Sequence, residues 1–221
     1  LRTRVKICGI TRTEDALAAA HYGVDAIGLV FYKKSPRYID PKEALNIVNC
    51  LPSYVTVVGL FVNHPVEQVQ EISQQLGLDL LQFHGDESVA ECELAGHAYM
   101  KAIRVQDAQS VPRAVREYRS ARSLLVDSYQ KDVFGGTGRS FHWDLLPKHI
   151  SVTADSKTEL SKNMPIVLAG GLSPTNVEQA IEAVQPWAVD VSSGVESSPG
   201  VKSEVLIKEF LKGVANVDAR Q

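Results

Sequence analysis

Two residues able to exchange protons stand where apolar runs of the chain end. Cys8 follows Val5-Lys6-Ile7, and Asp127 closes the run that begins at Ser123. A thiolate can remove a proton from carbon, and a carboxylic acid can donate one to oxygen. From position alone, Cys8 is equally well read as a small buried apolar residue, and Asp127 as the cap of the next loop.

Small residues follow the last two apolar runs of the chain. Gly170-Gly171 follow the run that ends at Ala169, and Ser192-Ser193-Gly194 follow the run that contains Asp190. Small residues let the backbone approach a ligand closely, and consecutive N–H groups can form an anion nest. Each segment alone reads as an ordinary glycine turn. Together, with two serine hydroxyls, they predict a phosphate site.

Arg37, His84 and Asp190 are further candidates for contact with a ligand. Arg37 follows Ser35-Pro36, and an arginine can pair bidentately with carboxylate or phosphate. Its alternative is a solvated surface charge. His84 either lines a pocket or caps the next helix. The glycine-rich segment 134–138 lacks the lysine and helix of a P-loop, so we interpret it as a lid or shaped loop.

Eight short apolar runs provide the elements that would position these residues. Most are rich in β-branched residues or leucine without strict polar alternation, as expected of strands buried on both faces. The runs are Val5-Lys6-Ile7, Ala26–Phe31, Val55–Val62, Leu78–Phe83, Tyr99–Val105, Ser123–Asp127, Ile166–Ala169 and Ala188–Val191.

Amphipathic patterns separate the runs and predict helices. Apolar residues recur at helical spacing over 111–118, 177–184 and 206–211. Asp40-Pro41-Lys42-Glu43 reads as a capping box with proline at the first helical position, and Ser173-Pro174 and Thr11 with Glu14 read as similar helix starts.

Strand and helix thus alternate eight times, which predicts a single (β/α)8 barrel over residues 1–221, with its active site at the carboxyl ends of the strands. An open doubly wound sheet is the alternative, but the Gly-x-Gly-x-x-Gly pattern typical of it is absent after the first run. The polar stretch 149–163 reads as a surface excursion before the seventh strand.

Composition limits the possible partners. With 221 residues and a net charge of −3, the chain exerts no long-range attraction on nucleic acid or anionic membrane. No apolar stretch approaches the about 20 residues of a membrane span, and no secretory leader opens the chain, although it starts at Leu1 and not at Met.

Three distant cysteines, Cys8, Cys50 and Cys92, favour a reducing compartment, so we expect a cytoplasmic location. The six histidines show no metal-ligand spacing.

Eight segments of the chain resemble, in the same order, those of the phosphoribosylanthranilate isomerase family of tryptophan biosynthesis. The first and last are quite specific together, and the polar stretch 149–163 is unlike compact members. The segments are Lys6-Ile7-Cys8-Gly9-Ile10, Gly28-Leu29-Val30-Phe31, Ser35-Pro36-Arg37-Tyr38-Ile39, Gln82-Phe83-His84-Gly85, Val126-Asp127-Ser128, Gly135-Gly136-Thr137-Gly138, Leu168-Ala169-Gly170-Gly171-Leu172 and Asp190-Val191-Ser192-Ser193-Gly194-Val195-Glu196.

The resemblance implies an Amadori rearrangement of a phosphorylated aminoaldose to the aminoketose. It implies that Asp127 is the general acid that opens the ribose ring and that Cys8 is the base that takes the proton from C2. Arg37 would hold the anthranilate carboxylate, and the loops at Gly170-Gly171 and Ser192-Ser193-Gly194 would hold the phosphate. Such a reaction needs one acid and one base, and neither a redox cofactor nor a metal.

The sequence is also consistent with three other functions. Indole-glycerol-phosphate synthase shares the fold, and the histidine-pathway isomerase uses aspartate where this chain has Cys8. A barrel that binds phosphate without turnover is the third reading. The sequence also leaves open whether the chain is fused to, or associates with, a neighbouring tryptophan-pathway enzyme.

Overall fold

Eight parallel strands form a closed barrel in the computed structural model, which describes residues 2–128 and 164–220. Each strand pairs with the next along the chain, and the first strand pairs with the eighth to close the ring. The strands are β1 (Arg4–Cys8), β2 (Ala26–Val30), β3 (Thr56–Phe61), β4 (Leu80–Phe83), β5 (Tyr99–Val105), β6 (Ser123–Ser128), β7 (Ile166–Leu168) and β8 (Ala188–Val191). All eight predicted runs are confirmed, and closure excludes the open sheet.

Seven helices are described, and they lie outside the barrel. They are α1 (Thr13–His21), α2 (Pro41–Cys50), α3 (Val66–Leu76), α4 (Val89–Leu94), α5 (Ser110–Glu117), α6 (Val177–Val184) and α7 (Glu204–Asp218). The predicted apolar stripes of α5 and α6 are buried, as the periodicity requires. In α7 the buried stripe continues from Ile207 and Phe210 to Val214 and Val217, so it is longer than predicted.

One of the three predicted helix starts is confirmed. The Asp40 carboxylate accepts a hydrogen bond from the Lys42 amide, and Pro41 is the first residue of α2. The other two predictions are wrong. Thr11 donates its hydroxyl to the Gly200 carbonyl and does not cap α1, and Ser173-Pro174 form a turn before α6, which begins at Val177.

Two apolar layers hold the barrel together. Small and medium side chains from five strands fill its interior: Val58, Met100, Ala102, Leu125, Val167 and Ala188. A larger cluster lies between the strands and the helices and includes Ile7, Leu81 and Phe210. Because strands in such a barrel are buried on both faces, the predicted apolar runs show no polar alternation.

A short hairpin after β8 was not predicted. A 3-10 helix (Ser193–Val195) leads into β9 (Glu196–Ser198), which pairs antiparallel with β10 (Val201–Lys202) before α7. These strands are three and two residues long, too short for a hydrophobic period to be recognised in the sequence. The hairpin lies beside the mouth of the barrel, since Lys202 contacts the end of β1.

Two predicted features lie outside the described residues: the glycine-rich segment 134–138 and the polar stretch 149–163. None of the described helices is both long and apolar enough to cross a membrane.

Candidate active site

A cavity opens at the carboxyl ends of the strands, where the fold class predicts the active site. Nine of the ten candidate residues line it, so the barrel gathers side chains that are up to 185 positions apart in the sequence. Those nine are Cys8, Arg37, His84, Asp127, Gly170, Gly171, Asp190, Ser192 and Ser193. Gly194, the tenth candidate, directly follows Ser193 in the same loop.

Cys8 is buried at the end of β1, beside the Lys6 side chain. Gly28 on β2 leaves room for both, because a Cβ there would lie 2.8 Å from the Cys8 sulfur and 3.1 Å from Lys6 Cε. Burial raises the pKa of the Cys8 thiol, while the charge and hydrogen bond of Lys6 and the charge of Lys202 act to lower it. The net shift is upward, so Cys8 is a thiol over more of the pH range than an exposed cysteine.

Lys6 and Asp190 form a buried ion pair next to the sulfur. Lys6 Nζ donates to Asp190 Oδ1 at 2.9 Å, and both side chains are less than a tenth exposed. Burial disfavours the ammonium form, but Asp190 and Cys8 more than offset it and raise the pKa of Lys6. Lys6 is therefore a fixed cation. Asp190, predicted as a substrate contact, lines the cavity and holds this cation in place.

Asp127 lies at the end of β6 and lines the same cavity as Cys8. His84 Nε2 is 3.4 Å from Asp127 Oδ2, and His84 Nδ1 is 2.9 Å from the Gln82 amide nitrogen. If that amide donates to Nδ1, the ring proton resides on Nε2 and faces Asp127. Gln82 Oε1 is buried and has no hydrogen-bond partner within the described residues. Gln82 was not among the predicted site residues.

The alternative that His84 caps a helix is wrong. Ser88 caps α4 through a reciprocal pair of hydrogen bonds with Glu91, and His84 lines the cavity.

Arg37 points its guanidinium at the hairpin after β8. Its Nε and Nη2 donate to the two carboxylate oxygens of Glu196, each at 2.7 Å, and both side chains are largely buried. Lys202 Nζ donates to the same carboxylate at 2.8 Å. Burial raises the pKa of Glu196, but Arg37 and Lys202 outweigh it and lower that pKa below its ordinary value. The alternative of a solvated Arg37 on the surface is therefore wrong.

The two glycine loops need glycine for different reasons. Gly170 and Gly171 have φ of 87° and 68°, in the left-handed region that glycine enters without strain. Gly194 has another reason to be glycine, since a Cβ there would lie 1.9 Å from the Leu172 carbonyl oxygen. The loop after β8 therefore packs directly on the loop after β7. Asn176 fixes the β7 loop, because its side chain donates to the Gly171 carbonyl and accepts from the Ser173 amide.

The described residues show no group of three or more histidine, cysteine or acidic side chains able to hold a metal ion. What the cavity does contain is a thiol beside a fixed cation, a carboxyl group in contact with histidine, and two close-packed glycine loops at its rim. A closed β/α barrel with this mouth is an enzyme that moves protons on a small molecule.

Comparison with known proteins identifies the family. The family described as N-(5'phosphoribosyl)anthranilate (PRA) isomerase matches residues 5–213. The N-(5'-phosphoribosyl)anthranilate isomerase of Nitrosococcus oceani is 49% identical over 218 residues, which cover 99% of this chain and 100% of that protein. The chain therefore belongs to the N-(5'-phosphoribosyl)anthranilate isomerase family.

Solved structures agree with this assignment. The phosphoribosyl anthranilate isomerase of Thermotoga maritima superposes with a TM-score of 0.83 at 39% identity, covering 97% of this chain and 99% of that one. A structure of the isomerase in complex with reduced 1-(o-carboxyphenylamino)-1-deoxyribulose 5-phosphate has a TM-score of 0.78 at 36% identity, with 97% and 99% covered. The function predicted from the resemblance is confirmed.

Sequence reasoning missed three residues of the site: Gln82, Glu196 and Lys202. Gln82 and Glu196 lie inside segments that carry the resemblance. Gln82 is inside the apolar run Leu78–Phe83 and Glu196 is five residues beyond the run Ala188–Val191, so neither marks the end of a run in the sequence. Lys202 offered no signal, because a lysine in a polar segment is expected to be exposed.

Proposed function

We propose that this cavity performs the family's isomerisation with Asp127 as the general acid and Cys8 as the general base. The reaction is the Amadori rearrangement of N-(5'-phosphoribosyl)anthranilate to 1-(2-carboxyphenylamino)-1-deoxyribulose 5-phosphate. The observation that carries the proposal is the placement of a thiol and a carboxyl group at the ends of β1 and β6 in one cavity, each beside a group suited to its role.

Ring opening is the acid-catalysed step. A proton passes from the Asp127 carboxyl group to the ribose ring oxygen while the C1–O bond breaks and the anilino nitrogen forms a double bond to C1. The product is an open-chain Schiff base with a cationic nitrogen. Because His84 Nε2 lies 3.4 Å from Asp127 Oδ2, the imidazole supports the carboxylate that remains after the proton has left.

Proton abstraction from C2 is the base-catalysed step. The cationic nitrogen acidifies the neighbouring C2–H bond, so a modest base suffices. The Cys8 thiolate takes this proton, the electron pair moves towards the nitrogen, and the resulting enolamine tautomerises to the ketone. Burial disfavours the thiolate form of Cys8, and the positive charge of the neighbouring Lys6 partly offsets this cost.

Substrate binding divides between the two ends of the cavity. The phosphate would lie against Gly170-Gly171 and Ser192-Ser193-Gly194, the loops after β7 and β8 that hold phosphate in many barrels of this class. The anthranilate carboxylate would pair with Arg37. Since Nε and Nη2 already donate to Glu196, we assign the carboxylate to the Nη1 side of the guanidinium.

We also propose that residues 1–221 form one domain and that the chain works in the cytoplasm. Fusion to, or association with, a neighbouring tryptophan-pathway enzyme is compatible with this proposal. The rival among barrel isomerases is the histidine-pathway enzyme, which by resemblance has aspartate where this chain has Cys8.

A turnover assay tests the proposal directly. Phosphoribosylanthranilate is generated in place, and the loss of its fluorescence is followed with the wild-type chain, Cys8→Ser and Asp127→Asn. We expect rapid loss with the wild type only, while all three proteins bind the phosphorylated product analogue. Full activity of Cys8→Ser or Asp127→Asn would refute that residue's role. Binding of the analogue without turnover by the wild type would instead support a binding protein.

A further inference from the structure

Lys202 is a buried cation at the mouth of the barrel that the proposed reaction leaves unused. Its side chain has no exposed surface, and Nζ donates to three acceptors: the Cys8 carbonyl at 2.7 Å, the Glu196 carboxylate at 2.8 Å and the Ser192 carbonyl at 3.2 Å. Its partners thus come from the end of β1, the loop after β8 and β9. Burial lowers the pKa of Lys202, and the charge and hydrogen bond of Glu196 oppose this.

The backbone of Lys202 is anchored independently of its side chain. The Lys202 amide donates to Asp15 of α1 at 3.0 Å, and Asp15 also pairs with Arg12. The hairpin would therefore stay attached to α1 if the ammonium group were removed. A second lysine of similar burial shows that a buried cation need not serve the cavity: Lys101 donates to Glu87 and to the Gly85 carbonyl, at 2.7 and 2.9 Å.

Lys202 acts on the site by two routes. Its charge favours the thiolate form of Cys8, and its hydrogen bond to Glu196 holds the carboxylate that grips Arg37. The other charged groups that act on the Cys8 sulfur are Lys6 on β1, which also favours the thiolate, and Asp190 on β8, which disfavours it. His84 and Asp127 face the same cavity from the ends of β4 and β6.

We propose that Lys202 is a positioning residue that couples the proposed base to the substrate-binding arginine, by stabilising the Cys8 thiolate and by fixing Arg37 through Glu196. This inference rests on the roles proposed for Cys8 and Arg37. It differs from a purely structural role because it predicts an effect on the ionisation of a sulfur that the Lys202 side chain reaches only through its charge.

The test compares Lys202→Gln with Lys202→Arg, and Lys101→Gln serves as the matched control. Glutamine keeps a hydrogen-bond donor but removes the charge, whereas arginine keeps the charge. Alkylation of Cys8 by iodoacetamide is measured against pH by mass spectrometry, with Cys50 in the same chain as the internal reference. The measurement needs no turnover, so it can fail or succeed independently of the proposed reaction.

At pH values below the midpoint of the alkylation curve, we expect Lys202→Gln to slow Cys8 alkylation about tenfold. This slowing corresponds to a rise of about one unit in the pKa of Cys8. Lys202→Arg should stay within about threefold of the wild type, because a cation near the sulfur is retained. Lys101→Gln should leave Cys8 alkylation unchanged. In turnover, Lys202→Gln should raise KM as well as lower kcat, because Arg37 loses its support.

Two outcomes would overturn the inference: wild-type alkylation of Cys8 in Lys202→Gln, or an equal slowing in Lys101→Gln, which would indicate an effect that is not specific to Lys202. Urea unfolding of each variant shows whether it folds. If Lys202→Gln does not fold, Lys202→Met carries the same expectation for Cys8. If neither variant folds, Lys202→Arg is the remaining test. A tenfold slowing of Cys8 alkylation in Lys202→Arg, which keeps the positive charge, would count against the electrostatic role.

Discussion

The two sides of the cavity differ in how their charges are held. On the β1–β8 side, Cys8 lies among the buried ion pair Lys6–Asp190 and the Lys202–Glu196 pair, with hydrogen bonds of 2.8 to 2.9 Å. On the β4–β6 side, Asp127 contacts His84 at 3.4 Å, and His84 in turn contacts Gln82. The side-chain oxygen of Gln82 is buried and has no hydrogen-bond partner in the described part of the chain.

The difference follows from what each side has to do. A buried thiolate is unstable unless fixed cations surround it, so the base side needs rigid charge. A general acid must lose and regain a proton in every turnover. It is better served by histidine, which can donate or accept at the same nitrogen. Rigid ion pairs would hold the carboxyl group in one protonation state.

The largest effect should come from breaking the base side at Cys8. Cys8→Ser keeps the shape but replaces the thiol with an alcohol that ionises far less readily, so kcat should fall about 10³-fold, within the range for a general base. Steady-state kinetics measure this, with binding of the product analogue as the control for folding. Retention of more than a tenth of wild-type kcat would mean that another group takes the C2 proton.

Breaking the acid side at Asp127 should cost less. Asp127→Asn keeps the shape but cannot donate a carboxylic proton, and kcat should fall about 10²-fold. Opening of the ring is a separate step from proton abstraction, so affinity for the product analogue should be nearly unchanged in a titration. A large loss of affinity would show that Asp127 binds the substrate and does not act as the acid.

The pH dependence sharpens the comparison. Only the thiolate can act as the base, and burial raises the pKa of Cys8, so kcat/KM should increase with pH on the acid side. Its midpoint should lie above the ordinary thiol value of about 8.5, with a tenfold change per pH unit below it. The midpoint of Cys8 alkylation in the free enzyme should coincide with it, and a clear separation of the two would argue against Cys8 as the base.

A substitution of Arg37 tests substrate binding on the base side of the cavity. Lysine cannot span both oxygens of Glu196 and still present a second edge to the anthranilate carboxylate, so Arg37→Lys should raise KM about tenfold, the cost of about one charged hydrogen bond. Initial rates over a range of substrate concentration give the result. If kcat fell and KM did not move, Arg37 would be acting on the chemical step instead.

The smallest effect should come from Gln82. Methionine fills a similar volume but cannot hydrogen bond to His84 Nδ1, so the ring tautomer is no longer fixed and kcat should fall about threefold. The matched control is Gln70→Met, because Gln70 donates to the Leu94 carbonyl on the exposed surface. Equal effects of the two substitutions on kcat would remove Gln82 from the acid side.

Most of the barrel could be predicted from local pattern. The runs Val55–Val62 and Ile166–Ala169 are apolar and rich in β-branched residues, and two-sided burial in a parallel sheet makes such runs easy to recognise. The hairpin at β9 and β10 could not be predicted, because it depends on contacts with distant segments. The turn at Ser173-Pro174 depends on a nearby side chain, Asn176, but its sequence also resembles a helix start. Asn176 bonds the β7 loop, and Glu196 holds Arg37.

The sequence by itself determined the fold class, the order of the strands and the residue types that follow them, including Cys8 and Asp127. These depend on hydrophobic periodicity and on the rule that barrel active sites lie at strand ends. Only the tertiary structure decided which charges surround the sulfur. Lys202 is 194 residues from Cys8 in the chain, and whether two such groups meet is set by closure of the barrel and by the path of the hairpin, neither of which leaves a local signal.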